Sequence, residues 1–441
     1  MLILFNTLAK ILFRLGLDAA FFRVYYDLES DEQKRRLAGT TALLAAAVGS
    51  VFFGAIVLGA ESLARLLFGH EQAPAELLVL SALDVYLGVF AFVPLKVLQI
   101  QDRPGLFSTF SAVRHTVNTV LKVALVVKGY GVAGVVMSDA VASAVFSLSL
   151  LPVLLRNASL SFSPALLREL LRFGLPKVPH GLMLQAQNFA DRKILDLYVT
   201  RDVVGVYQMG YTFGQAVKFA LSAFEPAWAP FVYAQIQKPG ARETLARVVT
   251  YAWGGFVALA LVVAVLAREL LQVMTFKNPA FWAAAPVVPV VVLAYLLQGA
   301  FLLTSIGIGI EKRARYYPAV TAAAVAANLI ANVILIPRFG MMGAAWATVL
   351  AYAVMALMGL WFSQRVYPIP FEWRRLTRLA LAALGVYAVS RLAPQALLPA
   401  LAFKSVVLAS APFLAAAIGG LHAEERTWLM VEWKRIFSRR S

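Results

Sequence analysis

The sequence contains no cysteine and only four histidines among its 441 residues. The lack of cysteine excludes disulfide bonds, thiol catalysis and cysteine-ligated metal sites. The histidines (His70, His115, His180 and His422) are scattered and do not form the paired helical spacing that binds a metal ion. No phosphate-binding loop motif of the kind that hydrolyses ATP is present. We therefore expect no metal and no cofactor.

Charged residues are also scarce, at 14% of the chain, whereas hydrophobic residues make up 61%. A soluble domain has about a quarter charged residues. Apolar stretches of about 20 residues, the length that crosses a bilayer as a helix, recur from one end of the sequence to the other. Because lipid offers no partner for backbone polar groups, such segments fold as helices. The sequence predicts an all-α polytopic membrane protein.

We predict thirteen membrane spans with short connections between them. They cover residues 1–22, 41–60, 78–99, 106–127, 132–155, 174–199, 205–234, 246–267, 283–308, 316–337, 340–363, 377–393 and 399–419.

The net charge of +17 follows from the topology rather than from a nucleic-acid partner, since lysine and arginine accumulate in cytoplasmic loops. One alternating set of connections, together with the C-terminal tail, holds most of the basic residues and is assigned to the cytoplasm. The opposite set is assigned to the outside and holds few. These outer residues are Arg65, Lys128, Arg201, Arg268, Lys277, Arg338, Arg391 and Lys404.

An internal repeat relates the two halves of the chain. Residues 98–134 align with residues 307–343 without gaps, at an offset of 209, so that Gly131 meets Gly340. A whole predicted span, 174–199, precedes the repeated part of the second half and has no counterpart in the first. The repeat therefore predicts that the chain lacks a first helix, and that restoring it would give fourteen spans.

The repeat and the loops define four regions. We predict an N-terminal lobe at 1–155, an amphipathic linker helix on the cytoplasmic surface at 156–173, a C-terminal lobe at 174–363, and two further membrane helices with a basic cytoplasmic tail at 364–441. The tail has tryptophans among basic residues and is predicted to form a second interfacial helix.

Basic residues inside predicted spans are candidates for binding a substrate, because a charge in a membrane needs a partner, a polar cavity or a function. Asp18, Asp84 and Lys96 lie near predicted span ends and are expected to reach the interface. His115 is set aside, because only one of two adjacent helical residues can point fully inward. The remaining candidates for a cationic cavity are Lys10, Arg14, Arg114, Lys122 and Lys218.

Three carboxylates inside the spans are candidates for coupling to an ion: Asp139, Asp191 and Glu225. A structural pairing is an equal alternative for Asp139. For Asp191 we favour a local pair with the adjacent Arg192 over contact with substrate, because membrane charges usually pair.

Four short motifs carry a resemblance to a known family: "FGLP" at 173–176, "ADRKIL" at 190–195, "VGVYQMGY" at 204–211 and "WAPFVY" at 228–233. With "LGLDAAFFRVYYD" at 15–27, they make the chain resemble the polysaccharide transporter (oligosaccharide flippase) family of the multidrug/oligosaccharidyl-lipid/polysaccharide exporter superfamily.

The resemblance implies a flippase that moves undecaprenyl-diphosphate-linked saccharides to the outer leaflet of a bacterial cytoplasmic membrane. It implies two six-helix lobes arranged in a V, alternating access, a cationic central cavity for the diphosphate, and coupling to H⁺ or Na⁺. Membrane lipids, glycosyltransferases and a polysaccharide polymerase are the implied partners.

Three other functions remain open. A lipid II-type flippase shares the same substrate chemistry. A drug or small-molecule antiporter of the superfamily would favour an aromatic, acidic cavity. A membrane-bound enzyme of envelope synthesis is disfavoured, because no outer loop is large enough for a catalytic domain.

Overall fold

The structure is a computed structural model that describes residues 2–68, 75–101, 104–159, 161–276 and 278–420. Within this part of the chain, the elements are α-helices with one π-helical turn (Val126–Tyr130) and one 3-10 helix (Pro279–Ala284). The α-helices are α1 Leu2–Arg14, α2 Leu17–Tyr25, α3 Asp31–Leu58, α4 Ala60–Phe68, α5 Ala75–Ile100, α6 Pro104–Leu125, α7 Gly131–Asn157, α8 Pro164–Gly174, α9 Lys177–Tyr198, α10 Arg201–Gly214, α11 Ala216–Gln235, α12 Ala241–Val265, α13 Ala267–Met274, α14 Val287–Thr304, α15 Ile306–Ile310, α16 Tyr316–Val366, α17 Trp373–Ser390 and α18 Leu397–Ala417.

Seven helical segments in the described part of the chain are long and apolar enough to cross a membrane. Two of them, Gly105–Asn157 and Tyr316–Val366, contain 53 and 51 residues, and each is long enough to cross twice. Many of their apolar side chains are exposed, such as Val127 at 81%. Exposed apolar surfaces on helices of this length contact lipid. The protein is therefore an all-α, multi-pass membrane protein.

Several predicted spans differ from the structure, among them 205–234, which is divided into α10 and α11. The predicted span 1–22 is two helices, because Leu15 and Gly16 both have positive φ angles and interrupt the helical path. Helix α3 begins ten residues before the predicted start at 41. Ser30 and Gln33 explain the early start, since each side chain bonds the other's backbone N–H in a capping box.

The glycines paired by the repeat have the same unusual backbone. Gly131 has φ 52° and ψ −131°, and Gly340 has φ 53° and ψ −128°. Only glycine adopts this conformation without strain. Gly131 begins α7 and Gly340 forms a kink within α16, so the alignment at an offset of 209 pairs two equivalent breaks in a helical path.

The chain divides into two compact units. The first contains residues 1–186, 226–234 and 312–319, and the second contains residues 187–225, 235–311 and 320–441. Helices α9, α11 and α16 each contribute to both units.

In the first unit, α5 packs along α7, with Ala91, Leu98, Phe146 and Leu150 buried between them. In the second unit, α12 packs against α17 and α18.

Helix α8 occupies the predicted amphipathic linker. Ser163 accepts a hydrogen bond from the Leu166 backbone N–H, and Pro164 occupies the first helical turn. Leu170 and Phe173 are buried, and the helix packs against α2 and α3. Part of its apolar face is therefore covered by protein. The predicted helix of the basic tail lies outside the described residues.

Candidate functional site

An ion pair joins α6 and α7 in the first unit. Lys122 Nζ lies 3.0 Å from Asp139 Oδ1, and Asn118 Nδ2 donates to the same oxygen at 2.8 Å. The two charged side chains are partly exposed, at 37% and 27%. Two of the predicted site residues are thus brought together, and in this arrangement each neutralises the other.

Arg114 on α6 takes part in a second polar group one turn away. Its guanidinium donates to Ser143 Oγ at 3.0 Å, and the Ser143 hydroxyl donates to Asp84 Oδ1 at 2.6 Å. The guanidinium also lies 5.1 Å from the centre of the Phe146 ring. The adjacent His115 is exposed. Arg114 is therefore the residue of the adjacent pair that contacts the protein.

Sequence reasoning missed Asp84. It was expected to reach the interface, but α5 begins at Ala75, so Asp84 lies in its third turn and is only 4% exposed. The pattern that could have indicated a buried partner lies on α7. Asp139, Ser143 and Ser147 recur there at every fourth residue and form one polar stripe. A carboxylate on a neighbouring helix is the expected partner of such a stripe.

A third polar group lies where α1, α2 and α5 meet. Arg14 and Lys96 both approach Asp18 Oδ1, at 3.5 and 3.6 Å. Lys10 lies one turn before Arg14 on α1, is exposed, and has no charged partner in the described part of the chain. One carboxylate thus serves two cations, and this surface carries a net positive charge.

In the second unit, Asp191 on α9 is 3% exposed and contacts two polar side chains of α16. Asn332 Nδ2 donates to Oδ1 at 2.6 Å, and Thr348 Oγ1 donates to Oδ2 at 3.0 Å. Asn332 Nδ2 also lies 3.0 Å from Asn328 Oδ1. We call these four residues the Asp191 cluster.

The Asp191 cluster contains an unsatisfied oxygen. Asn332 Oδ1 is buried and has no hydrogen-bond partner within the described residues, and the same is true of Asn328 Nδ2. A buried carbonyl oxygen without a donor is costly, so it favours a ligand that supplies a donor or a positive charge, whereas the Asn328 amide nitrogen favours an acceptor. Carboxylate, amide and hydroxyl oxygens are the ligands that hard cations prefer.

Lys218, another predicted site residue, lies at one end of a group of aromatic rings in the second unit. Its Nζ lies 5.9 Å from the centre of the Tyr295 ring. The Tyr295 hydroxyl donates to the Tyr211 hydroxyl at 3.0 Å, and the ring lies 6.0 Å from that of Tyr352. Tyr352 lies within the electrostatic influence of Asp191. Ring contacts therefore extend from a candidate substrate cation to a tyrosine near a candidate ion-coupling carboxylate.

The other predicted carboxylate of the second unit lies apart. Glu225 is exposed on α11 and forms no hydrogen bond or ion pair with the described residues. The predicted pair of Asp191 with Arg192 involves a side chain that lies outside the described residues. Of the three predicted carboxylates, Asp191 alone is buried and accepts hydrogen bonds from neutral side chains of another helix.

The helical arrangement is that of a known class of membrane transporters. The MATE transporter VcmN of Vibrio cholerae, in its bent form, superimposes with a TM-score of 0.68 at 16% identity, over 82% of this chain and 86% of that one. A MOP superfamily transporter from Pyrococcus furiosus gives 0.65 at 15% identity, over 82% and 85%. The lipid II flippase MurJ gives 0.57 at 14% identity, over 93% and 89%. The chain thus has the fold of this superfamily.

The sequence itself identifies the family. A model of the polysaccharide biosynthesis protein family matches residues 1–274, and the chain belongs to that family. A search of curated protein sequences gave no match. The resemblance drawn from the four motifs is confirmed.

Proposed function

We propose that this protein is an alternating-access flippase that moves an undecaprenyl-diphosphate-linked oligosaccharide across a bacterial cytoplasmic membrane. The family supports a role in polysaccharide biosynthesis, and the fold supports a transporter. Glycosyltransferases would supply the substrate, and a polymerase would use the product. The observation that carries the proposal is the set of cations on apolar helices of a multi-pass membrane protein.

Lys10 is exposed, and Arg114 and Lys218 are partly exposed; neither Lys10 nor Arg114 forms an ion pair with a carboxylate of the described residues. A cationic side chain that faces lipid is strongly unfavourable, so partly exposed cations of spanning helices face water or an anionic ligand. The diphosphate of a lipid-linked saccharide is such a ligand, since charge-assisted hydrogen bonds to phosphate strengthen at low dielectric. Each of these cations would repel a cationic drug, which favours a flippase over a drug antiporter.

We further propose that the Asp191 cluster holds the coupling ion, Na⁺ or H⁺. A bound cation would neutralise Asp191 and supply the positive charge that the Asn332 carbonyl oxygen lacks. Neutralising Asp191 changes the electric field at Tyr352, whose ring packs against Tyr295 beneath Lys218. Binding of the ion would in this way alter the affinity of Lys218 for an anion.

The proposal is tested by flipping in proteoliposomes. The purified protein is reconstituted with a fluorescently labelled lipid-linked oligosaccharide, and protection from an external quencher is followed under an imposed Na⁺ or H⁺ gradient. We expect flipping well above that of empty vesicles, dependent on one of the gradients. Labelled lipid II and a fluorescent cationic drug serve as parallel substrates. Preferred transport of lipid II supports the nearer alternative, and transport of the drug alone contradicts the proposal.

A further inference from the structure

A cavity of about 390 Å³ lies in the second unit, and its lining includes neither Lys218 nor any residue of the Asp191 cluster. It is bordered by α12, α13, the 3-10 helix, α14, α17 and α18. Its polar and aromatic lining consists of Arg268, Trp282, Tyr387, Ser390, Arg391 and Lys404.

Basic residues are unusually concentrated in this cavity, compared with the rest of the outer side. Eight lysines and arginines are assigned to the outer side by the sequence, and three of them, Arg268, Arg391 and Lys404, line this one cavity. The positive-inside rule depletes basic residues on that side, so topology does not explain their grouping. The cavity is lined by three cations and, within the described residues, by no carboxylate.

One of the three cations is already neutralised. Lys404 Nζ contacts both carboxylate oxygens of Glu269, at 2.7 and 2.8 Å, and the two side chains are 11% and 4% exposed. Arg268 and Arg391 are exposed, and neither forms a hydrogen bond or ion pair with the described part of the chain. The cavity therefore carries two unused guanidinium groups, which match phosphate in charge and in planar donor geometry.

The aromatic lining is typical of a cavity at a membrane surface. Tryptophan and tyrosine concentrate at the level of the lipid headgroups, and both Trp282 and Tyr387 line this cavity. The Ser390 hydroxyl donates to the Tyr387 carbonyl at 2.6 Å, which fixes that wall. The volume falls in the range of sites that bind small molecules or headgroups.

We propose that this cavity binds the phosphate group of a lipid in the outer leaflet. Arg268 and Arg391 contact the phosphate, while the Lys404–Glu269 pair holds α18 against α13 behind it. Two sources share this chemistry: a membrane phospholipid and the lipid diphosphate of a translocated product. The proposal does not rest on the proposed function, because a membrane phospholipid would bind here in any transporter.

The test uses the purified full-length protein and the ligand-induced shift in its thermal unfolding. The probes are phosphatidylglycerol, a polyprenyl diphosphate, inorganic diphosphate, and diacylglycerol, which lacks phosphate. We expect phosphatidylglycerol or polyprenyl diphosphate to stabilise the protein and diacylglycerol to be without effect. Stronger binding of phosphatidylglycerol identifies the membrane as the source, and stronger binding of polyprenyl diphosphate identifies the product.

Variants assign the effect to the cavity. Arg268→Gln combined with Arg391→Gln should weaken binding by about tenfold or more, since each arginine gives a charge-assisted hydrogen bond. Arg338→Gln is the matched control, because Arg338 is an exposed, outer-side arginine that does not line the cavity. The Arg268→Lys, Arg391→Lys variant keeps both charges and should retain part of the affinity, which separates loss of charge from loss of fold.

Three results would overturn the proposal. The first is wild-type affinity in the glutamine variant. The second is stabilisation by diacylglycerol equal to that by phosphatidylglycerol, which would show a purely apolar site. The third is stabilisation by inorganic diphosphate as strong as that by either lipid, which would show that no lipid is required.

Discussion

Replacing Asp191 with asparagine removes one negative charge from the Asp191 cluster while keeping its shape. The new amide can be accommodated, because its oxygen can still accept from Asn332 and its nitrogen can donate to the rotatable Thr348 hydroxyl. We therefore expect Asp191→Asn to fold with near wild-type thermal stability. The variant should instead lose affinity for the coupling ion.

The size of that loss follows from the missing charge. Two opposite unit charges 4 Å apart interact by about 4 kcal/mol at the effective dielectric of a protein site, which is roughly a thousandfold in affinity. Thr348→Val removes one neutral oxygen near the proposed ion, and the loss of ion affinity should be closer to tenfold. Thr250→Val is the matched control, because the buried Thr250 hydroxyl contacts the carbonyl of its own helix at Ala246.

The assay is the initial flipping rate in proteoliposomes as a function of the Na⁺ or H⁺ gradient. For Asp191→Asn we expect a rate that no longer responds to the gradient, and for Thr348→Val a response shifted to higher ion concentration. A wild-type ion response in Asp191→Asn would refute the assignment of the coupling ion to this cluster.

Three further variants test individual structural features by thermal unfolding. Ser143→Ala leaves the buried Asp84 carboxylate without its hydroxyl donor and should destabilise the protein by about 1–3 kcal/mol. Glu269→Gln leaves the Lys404 ammonium buried without a countercharge and should be destabilising by about 3–5 kcal/mol. Gly340→Ala places a side chain at a backbone conformation suited to glycine and should be destabilising by about 1–3 kcal/mol.

Each of these three variants has a matched control or a result that would contradict the prediction. Gly131→Ala should match Gly340→Ala, whereas Gly205→Ala should be nearly neutral, because Gly205 has no positive φ and open space at its Cβ. Replacing Glu269 and Lys404 together with uncharged residues should be less destabilising than Glu269→Gln alone. An unchanged unfolding temperature in Ser143→Ala would show that the Asp84 carboxyl does not depend on the hydroxyl.

The class of protein and its helical nature follow from the sequence, because the composition and the length of apolar segments are properties of the whole chain. The choice of Arg114 over His115 could also be predicted, since adjacent helical residues point in different directions. The burial of Asp84 could not be predicted, because it depends on where α5 begins. Helix ends are the least certain part of a prediction from periodicity.

The partners of Asp191 could not be predicted from the sequence for a different reason. Its two bonded partners, Asn332 and Thr348, lie 141 and 157 residues away in the sequence. Both are neutral and lie in an apolar helix, so no charge pattern indicated them. The local sequence offers cations as partners, of which Arg192 is adjacent, and for this reason the prediction was a local pair with Arg192.

The central claim is that basic side chains of the spanning helices receive the anionic headgroup of a lipid-linked saccharide. The most direct measurement is flipping of the labelled lipid-linked oligosaccharide by Arg114→Ala combined with Lys218→Ala, with His115→Ala as a control on the exposed face of the helix that carries Arg114. The claim predicts a loss of at least about tenfold in the double variant and a wild-type rate in the control. Wild-type flipping by a folded Arg114→Ala, Lys218→Ala protein would contradict it.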